Sequence, residues 1–353
     1  MRVLHVLDKI TGGSGVAGVV MNLIEHSDIK QDAAVYSDID ESLSRRVKKR
    51  GGNVYKVSDI KKGLGIPFGR DISALYKENK YTAVHGHILN SAFIYMKEAK
   101  RLNIPVRIIH SHNGLSAETF LKRLRNNLLQ KNLTEWGTRF VAVSAAAARN
   151  AFGKSADKAV IIRNGIDAER FKFNGQTRKA VRKEFRLSDK TLCAGSAARF
   201  VPQKNHKFIL EIAAKLPNAV FILAGDGPLL EKSKKAAPPN VRFCGTRADI
   251  ENLYQAFDIF ILPSLFEGFP LSAVEAQCSG LPCLVSDRVT KEIDFTGNVS
   301  FLPINDSDIW ANAIRAAIQD TDRYGGFEKA LSAGLDMKSV IESYEKMYRE
   351  KKT

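Results

Sequence analysis

Two glutamates eight residues apart mark the segment richest in side chains that could do chemistry. Glu267 lies in a loop after an apolar strand that ends at Leu262, and Glu275 lies about a turn and a half into the following helix. Pro270 suits the first helical position, where its missing N–H costs nothing. The free N–H groups of a first helical turn favour an anion. Carboxylates beside an anion site are suited to accept hydrogen bonds from the hydroxyl groups of a sugar. The plainer interpretation is that Glu267 is an ordinary loop acid and Glu275 a solvated helix residue.

Two cations follow an earlier strand on one loop. Arg199 and Lys204 stand in ARFVPQKN, and the adjoining Asn205 is a good N-cap for the next helix. The Arg199 guanidinium could bind a diphosphate through paired hydrogen bonds, and the Lys204 ammonium could bind it as a point charge. The alternative interpretation is that both are ordinary solvated surface residues. Similar loops follow the next two strands, at residues 225–228 and 245–247. Four such loops at one edge of a parallel sheet predict a nucleotide-binding cleft.

A glycine-rich segment near the start, residues 13–18, reads GSGVAG and matches GxGxxG. With Asp38 near the end of the next strand, it suggests a dinucleotide site and an NAD-dependent oxidoreductase. The spacing argues against this, because residues 8–12 separate the strand from Gly13, whereas that fingerprint turns directly off its strand. A phosphate-facing loop of another kind is preferred, and a flexible strand-to-helix turn is the alternative.

Four histidines fall in two pairs that end strands in the first half of the chain. His85 and His87 stand in VHGH, and His110 and His112 stand in IIHSH. Any single histidine here is also explained as a satisfied structural residue. We expect His85 to belong to the strand core and His87 to face an acceptor molecule.

Neither a metal site nor a disulfide is predicted. The two DxD patterns, at residues 38–40 and 306–308, occur in polar turns away from the other motifs, so their acids are read as solvated. The cysteines form no CxxC pair and stand in apolar contexts, which favours buried free thiols in a reducing compartment. They are Cys193, Cys244, Cys278 and Cys283. The sequence therefore predicts no metal and no cofactor.

Short apolar runs alternate with helical patterns along the whole chain, which is typical of βαβ units and parallel sheets. The predicted strands are 3–7, 33–36, 83–85, 106–110, 140–143, 159–162, 192–196, 220–224, 241–244, 259–262 and 282–286. About six strands fall in each half, enough for one doubly wound α/β sheet each. We predict domains at 1–165 and 166–335, and a terminal helix within 336–353 that closes the second domain or crosses back to the first.

The formal net charge is +16, and residues 1–170 contribute +12 of it, with 28 Lys and Arg against 16 Asp and Glu. A basic half favours nucleic acid, an anionic membrane or a phosphorylated substrate. No nucleic-acid-reading motif is present, so no such partner is predicted. Segment 118–133 is apolar on one face and basic elsewhere, as an interfacial or a core-packed helix would be. Without a membrane span or secretory signal, a cytoplasmic protein is expected, peripheral at the membrane if that helix is interfacial.

Together these segments resemble the retaining glycosyltransferases of family 4, which have the GT-B architecture. The resemblance covers nearly the whole chain and rests on FEGFPLSAVEA, ARFVPQKN, AGDGPLLEK, the junction IIRNGID at 161–167 and the N-terminal GGSG. The segment RIIHSHN is similar to that of bacterial exopolysaccharide and capsule transferases of the family. The resemblance implies two Rossmann-like domains facing across a cleft, the second binding a nucleotide-sugar donor and the first binding the acceptor.

The resemblance also implies roles for single residues. Arg199 and Lys204 would hold the donor diphosphate. Glu275 would accept from the ribose hydroxyls, and Glu267 would contact the transferred sugar. His110 best matches the family histidine that bonds the donor sugar, with His112 as the alternative in register; His87 and His112 are the acceptor-side candidates. The other donor-binding residues implied are Gly12, Gly13, Gly245, Thr246, Arg247, Gly268, Phe269, Pro270 and Leu271.

The activity implied is transfer of a hexosyl or N-acetylhexosaminyl group, with retention, from a UDP-sugar. The acceptor would be a saccharide or a lipid-linked sugar of exopolysaccharide or capsule biosynthesis. Three alternatives stay open on the sequence: a nucleic-acid-binding protein, motivated by the charge; an NAD-dependent oxidoreductase that uses residues 13–18; and a nucleotide-sugar epimerase or non-catalytic binder of the same fold.

Overall fold

The chain crosses between two structural units twice. In the computed structural model, residues 1–12, 14–112, 133–316 and 323–350 are described. One unit consists of Met1–Asn164 together with Met337–Thr353, and the other of Gly165–Asp336. Each unit has its own sheet and its own buried apolar core.

The first unit is built on a parallel sheet of seven strands. They are β1 (Arg2–Leu7), β2 (Lys30–Val35), β3 (Val54–Lys56), β4 (Ala83–Gly86), β5 (Val106–Ser111), β6 (Arg139–Ala142) and β7 (Ala159–Ile161). Their order in the sheet is β3-β2-β1-β4-β5-β6-β7. The order reverses at β1, so the carboxyl ends of β1 and β4 flank the point where open α/β sheets bind ligands.

The second unit is built on a parallel sheet of six strands. They are β8 (Cys193–Ala197), β9 (Val220–Ala224), β10 (Val241–Gly245), β11 (Ile259–Leu262), β12 (Cys283–Ser286) and β13 (Val299–Leu302). Their order is β10-β9-β8-β11-β12-β13. Here the order reverses at β8, between β9 and β11. Both units are therefore Rossmann-like, which confirms the predicted fold class.

Helices connect the strands of both units. They are α1 (Gly15–His26), α2 (Glu41–Lys49), α3 (Ile66–Asn79), α4 (Ala92–Arg101), α5 (Leu133–Trp136), α6 (Ala145–Phe152), α7 (Ala168–Phe171), α8 (Gly175–Glu184), α9 (His206–Ala214), α10 (Leu230–Ala236), α11 (Ile250–Ala256), α12 (Leu271–Cys278), α13 (Ser307–Ala316), α14 (Gly325–Ser332) and α15 (Met337–Arg349). Within the described part of the chain, no helix is both long and apolar enough to span a membrane.

The last helix, α15, completes the core of the first unit. Its apolar stripe, which includes Val340 and Tyr344, packs against Val3, Ala83 and Val106 on the face of the first sheet. Glu345 accepts a hydrogen bond of 2.6 Å from the hydroxyl of Ser27, just after α1. The helix is thus an integral layer of the first unit, not a terminal extension of the second.

Candidate functional site

Four loops leave the carboxyl ends of neighbouring strands β10, β9, β8 and β11, as the sequence predicts for a ligand-binding edge. The loops after β8 and β11 are bonded to each other. The Leu265 N–H donates to the Gln203 carbonyl at 2.8 Å, and the Gln203 side chain donates to the Phe266 carbonyl at 2.8 Å. These bonds hold two separate pieces of sequence at a fixed distance.

Lys204 and Glu267 meet where those two loops join. The Lys204 ammonium forms an ion pair with Oε1 of Glu267. The Ser264 hydroxyl donates to the same oxygen at 2.9 Å. The Lys204 side chain is 18% exposed and the Glu267 side chain 11% exposed, so the ion pair is largely shielded from solvent. The structure thereby brings together the lysine predicted to bind the diphosphate and the glutamate predicted to bind the sugar.

Arg199 stands at the exposed tip of the loop after β8. Within the described residues its guanidinium has no hydrogen-bond partner. The loop behind it is held by the next one, since the Phe200 N–H donates to the Asp226 carbonyl at 2.9 Å and the Leu229 N–H donates to the Phe200 carbonyl at 3.0 Å. Arg199 is therefore a free cation on a fixed backbone, suited to an anionic ligand.

Two glycines allow that close approach of backbones. Gly225 has φ +135°, and a Cβ there would lie 2.1 Å from the Ala198 carbonyl oxygen. Gly227 has φ +151°, and its Cβ would lie 2.6 Å from the Phe200 carbonyl oxygen. A side chain at either position would therefore push the Arg199 loop away from its neighbour.

Gly225→Ala is expected to destabilise the protein by on the order of 3 kcal/mol, because both strain and a backbone clash oppose it. Gly297→Ala is the matched control, since Gly297 has φ +78° with nothing within 4 Å of its Cβ position. The control should cost only about 1 kcal/mol, the price of a left-handed alanine. Urea unfolding of both variants measures the difference. Equal losses would show that the clash is relieved by movement of the loop.

Glu275 is half-buried on α12. The Tyr254 hydroxyl, on α11, donates to its Oε2 at 2.8 Å. Burial raises the pKa of Glu275 to about 7, and the tyrosine hydrogen bond and the positive charge of Arg170 offset part of that rise. A carboxyl that titrates near neutrality is not an ordinary solvated helix residue. Tyr254 was absent from the predicted site.

The start of α12 differs from the prediction. The helix begins at Leu271, and Pro270 is the residue before it, with φ −72° and ψ 111°. The turn before α12 is packed into the protein, because all three of its residues are buried: Gly268, Phe269 and Pro270.

Asn205 also differs from the prediction of a side-chain cap. It directly precedes α9, yet it is left-handed, with φ 54° and ψ 44°, and its side chain makes no capping bond. The reason is that capping side chains reach the first-turn N–H groups from an extended backbone.

The loop after β10 carries Gly245, Thr246 and Arg247. Gly245 is left-handed, at φ +65°, and its carbonyl accepts from the Gly225 N–H at 2.7 Å. Arg247 is held by two carboxylates at 2.7 Å each, those of Glu184 and Asp249. The Arg247 charge is therefore already compensated, so the groups of this loop that can contact a ligand are its backbone and Thr246.

The N-terminal loop runs from the end of β1 to the start of α1. Gly12 is exposed there, and Gly13 lies outside the described residues. Ser14 caps α1, accepting from the Ala17 N–H at 3.4 Å. Gly15 and Gly18 therefore lie within the helix, unlike the glycines of a dinucleotide turn.

Both DxD patterns serve local structure. Asp40 accepts from the Ser42 N–H at 2.8 Å at the start of α2, and Asp306 accepts from the Asp308 N–H at 2.8 Å at the start of α13.

Five of the six histidines of the first unit form one cluster, and the sixth, His26, is exposed on α1. His5 is hydrogen-bonded to His87 at 3.0 Å, His87 to His112 at 2.8 Å, and His85 to His110 at 3.1 Å. His5 was absent from the predicted site. His85 and His110 have no exposed surface, whereas His112 is half-buried as a residue. The nitrogens of His87, His110 and His112 also lie close enough to hold a metal ion.

Comparisons with known proteins define the class of this fold and site. The family model for glycosyltransferase family 4 matches residues 14–170, and that for glycosyl transferases group 1 matches residues 188–320. HepE from Anabaena, solved with UDP and glucose, superposes with a TM-score of 0.82 at 18% identity, over 98% of both chains. The fold is that of the GT-B glycosyltransferases.

Sequence relatives give the family. EpsF of Bacillus subtilis, which bears a glycosyltransferase name, is 34% identical over 337 residues, 90% of this chain and 87% of its own. The UDP-Gal:alpha-D-GlcNAc-diphosphoundecaprenol alpha-1,3-galactosyltransferase of Escherichia coli is 28% identical over 76% of this chain and 73% of its own. The chain belongs to glycosyltransferase family 4 and is a glycosyltransferase. The alternative of an NAD-dependent oxidoreductase was wrong.

Proposed function

We propose that the protein transfers a sugar, with retention, from a UDP-sugar to a saccharide or lipid-linked acceptor in exopolysaccharide or capsule assembly. The Lys204–Glu267 pair carries this proposal, because it sets a cation for a diphosphate beside a carboxylate for sugar hydroxyls. Glu275 and its partner Tyr254 lie on the same unit and supply acceptors for ribose hydroxyls. The printed name of the Escherichia coli relative, a UDP-Gal-dependent transferase with a diphosphoundecaprenol acceptor, supports donor and acceptor classes alike.

The proposed transfer breaks the bond between the anomeric carbon and the diphosphate oxygen, and the electron pair stays on the phosphate. The acceptor hydroxyl oxygen bonds to the anomeric carbon on the same face, and its proton passes to the departing phosphate oxygen. Lys204 and Arg199 stabilise the charge that develops on the diphosphate. We propose that these cations make a metal or other cofactor unnecessary, so EDTA should leave the rate unchanged.

A thermal-shift panel tests the donor assignment. UDP-sugars should raise the melting temperature of the protein, whereas GDP-sugars, ADP-sugars and NAD should not. Product formation with a lipid-diphosphate sugar then tests the transfer itself. A donor that is converted without any acceptor would support an epimerase instead. If no nucleotide sugar raises the melting temperature, the proposed donor site is wrong.

We propose peripheral contact with an anionic membrane from the cytoplasmic side. The predicted interfacial segment 118–133 lies outside the described residues apart from Leu133. A described loop supports the same contact: Leu64 is 93% exposed and Ile66 58% exposed, beside the exposed Lys61 and Lys62. Leu64 has φ +53° and lies between two left-handed glycines, so it belongs to a strained turn that exposes its side chain. Apolar tips beside cations suit an anionic lipid surface.

Sedimentation with vesicles tests this contact. Vesicles of phosphatidylglycerol should bring the protein down, and vesicles of phosphatidylcholine alone should not. Leu64→Asp should weaken sedimentation about tenfold. Leu331→Asp is the control, since Leu331 is 38% exposed on α14 in the other unit. Equal sedimentation of both variants and the wild type would remove this loop from the proposal.

A further inference from the structure

Five histidines share one face at the carboxyl end of the first sheet. They alternate along their strands, at His5 on β1, at His85 and His87 from β4 onward, and at His110 and His112 from β5 onward, so their side chains point the same way. His5 and His85 are direct register partners across β1 and β4. Two lines of hydrogen bonds run through this cluster, and each ends on a residue that is not histidine.

The first line, here called the Gln31 chain, fixes the tautomer of each ring it passes. The Gln31 amide nitrogen donates to the Leu23 carbonyl at 3.1 Å, so its oxygen is the group that faces His5, at 2.6 Å from Nε2. A neutral imidazole has one N–H donor and one acceptor nitrogen. His5 therefore carries its proton on Nε2 and accepts on Nδ1.

The same requirement, one donor and one acceptor nitrogen per ring, applies to the next two histidines of the Gln31 chain. His87 donates from Nε2 to His5 Nδ1 at 3.0 Å, which leaves its Nδ1 as an acceptor. His112 then donates from Nε2 to His87 Nδ1 at 2.8 Å. The remaining nitrogen, His112 Nδ1, is an unprotonated acceptor, with no hydrogen-bond partner within the described residues.

Burial keeps these rings neutral. It lowers the pKa of His5 to about 4 and that of His112 to about 3, and it lowers the pKa of His87 well below its ordinary value. Each ring therefore carries one proton at neutral pH, and the tautomers follow from the acceptor at the end of the line.

The second line, here called the Tyr348 chain, runs from α15. The Tyr348 hydroxyl lies 2.8 Å from His85 Nδ1, and His85 Nε2 lies 3.1 Å from His110 Nδ1. A buried phenol that accepted here would leave its own hydrogen unpaired within the described residues, a costly arrangement. Tyr348 therefore donates, and His110 carries its proton on Nε2. The Tyr344 hydroxyl is 3.4 Å from both nitrogens of His110 and favours neither tautomer.

We propose that Gln31 is a positioning residue that acts through His5 and His87, holding the half-buried His112 as an acceptor for a ligand hydroxyl. An unprotonated nitrogen complements a hydroxyl hydrogen and repels a phosphate oxygen, so the ligand group is a sugar or acceptor hydroxyl. The identity of that ligand rests on the proposed function, whereas the tautomers do not. Tyr348 holds the adjacent His110, whose ring lies 3.9 Å from that of His112, in its own tautomer.

Nitrogen-15 NMR of the full chain at neutral pH tests the tautomers without any donor or acceptor. In the wild type, His5, His87 and His112 should each show a protonated Nε2 and a bare Nδ1. Gln31→Leu removes the terminal acceptor, so His112 should become a mixture of tautomers. Gln31→Glu, protonated toward the Leu23 carbonyl, keeps an acceptor oxygen toward His5 and should restore the wild-type spectrum. Tyr348→Phe is the matched control, and it should change His110 and leave His112 unaltered.

Three results would overturn the proposal: a wild-type His112 protonated on Nδ1, an unchanged His112 in Gln31→Leu, or stoichiometric Zn²⁺ binding that shifts His87, His110 and His112 together. The wild-type spectrum decides the matter even if Gln31→Leu fails to fold. With a functional assay, Gln31→Leu should lower kcat/KM about tenfold through KM, the worth of one hydrogen bond. Correct tautomers in a protein that transfers no sugar would overturn the proposed function alone.

Discussion

Replacing Lys204 by methionine should lower kcat/KM for sugar transfer by about a hundredfold to a thousandfold. Removing one preorganised group that stabilises developing charge has an effect of that size. The ammonium is fixed by Glu267 in a recess with 18% of its side chain exposed, so water compensates poorly for its loss. Steady-state kinetics with a UDP-sugar donor measures the change. A loss smaller than threefold would place the diphosphate elsewhere.

Stability separates this effect from damage to the fold. Lys204→Met leaves the Glu267 carboxylate with the Ser264 hydroxyl as its remaining side-chain partner among the described residues, which should destabilise the protein by about 2 kcal/mol. Adding Glu267→Gln removes the unpaired charge, so the double variant should recover stability and stay inactive. Lys207→Met, in the first turn of α9, is the matched control, since its side chain is 89% exposed and pairs with Glu211 on the same helix. It should match the wild type in both assays.

Glu275→Gln should make the ligand-free protein more stable above pH 8 and abolish its response to donor. Burial raises the pKa of Glu275 to about 7 in the folded state, above the ordinary value of 4.5. The folded protein therefore binds this proton more tightly than the unfolded chain does. The stability that follows is fully present below pH 4.5 and is lost as the pH rises through 7.

The variant escapes that loss, because glutamine has no charge to bury and keeps an oxygen for the Tyr254 hydroxyl. The free energy of unfolding of the variant should exceed that of the wild type by nothing near pH 4.5 and by about 3 kcal/mol at pH 8.5. Urea unfolding at several pH values measures it. Glu211→Gln, at a side chain that is 46% exposed, should show no such trend. A variant less stable than the wild type at pH 8.5 would contradict the buried charge.

Donor binding should show the opposite dependence on pH. If the Glu275 carboxylate accepts from ribose hydroxyls, the ionised form binds donor better, so affinity should fall as the pH drops below 7. In Glu275→Gln that pH dependence should disappear along with most of the affinity.

Most strands of both sheets were predictable from sequence. All eleven predicted strands are present, with ends displaced by up to three residues. The prediction missed β3 and β13, which are edge strands of their sheets. The three residues of β3 are exposed or half-buried, and β13 has no fully buried residue. The other two edge strands, β7 and β10, have no buried residue either and were predicted, so an edge position weakens the apolar pattern without always hiding the strand.

The candidate site divides in a similar way. Glu267 and Glu275 stood out because each follows a strand signal at a short, regular spacing. Their partners did not, since Tyr254 precedes Glu275 by 21 residues on another helix. His5 stands alone on β1, and only the register of β1 against β4 sets it beside His85. Contacts between elements depend on register and packing, which residue spacing within one segment does not encode.

The return of α15 to the first unit has a consequence for how the chain is made. During translation, residues 165–336 leave the ribosome before the helix that covers the first sheet exists. The apolar surface around Val3, Ala83 and Val106 therefore stays uncovered, exposed to chaperones and to aggregation, until α15 emerges. The Tyr348–His85 bond joins positions 263 residues apart, so it cannot form before that helix is made. A transcript truncated before codon 337 yields a chain with an intact second unit and an unfinished first one.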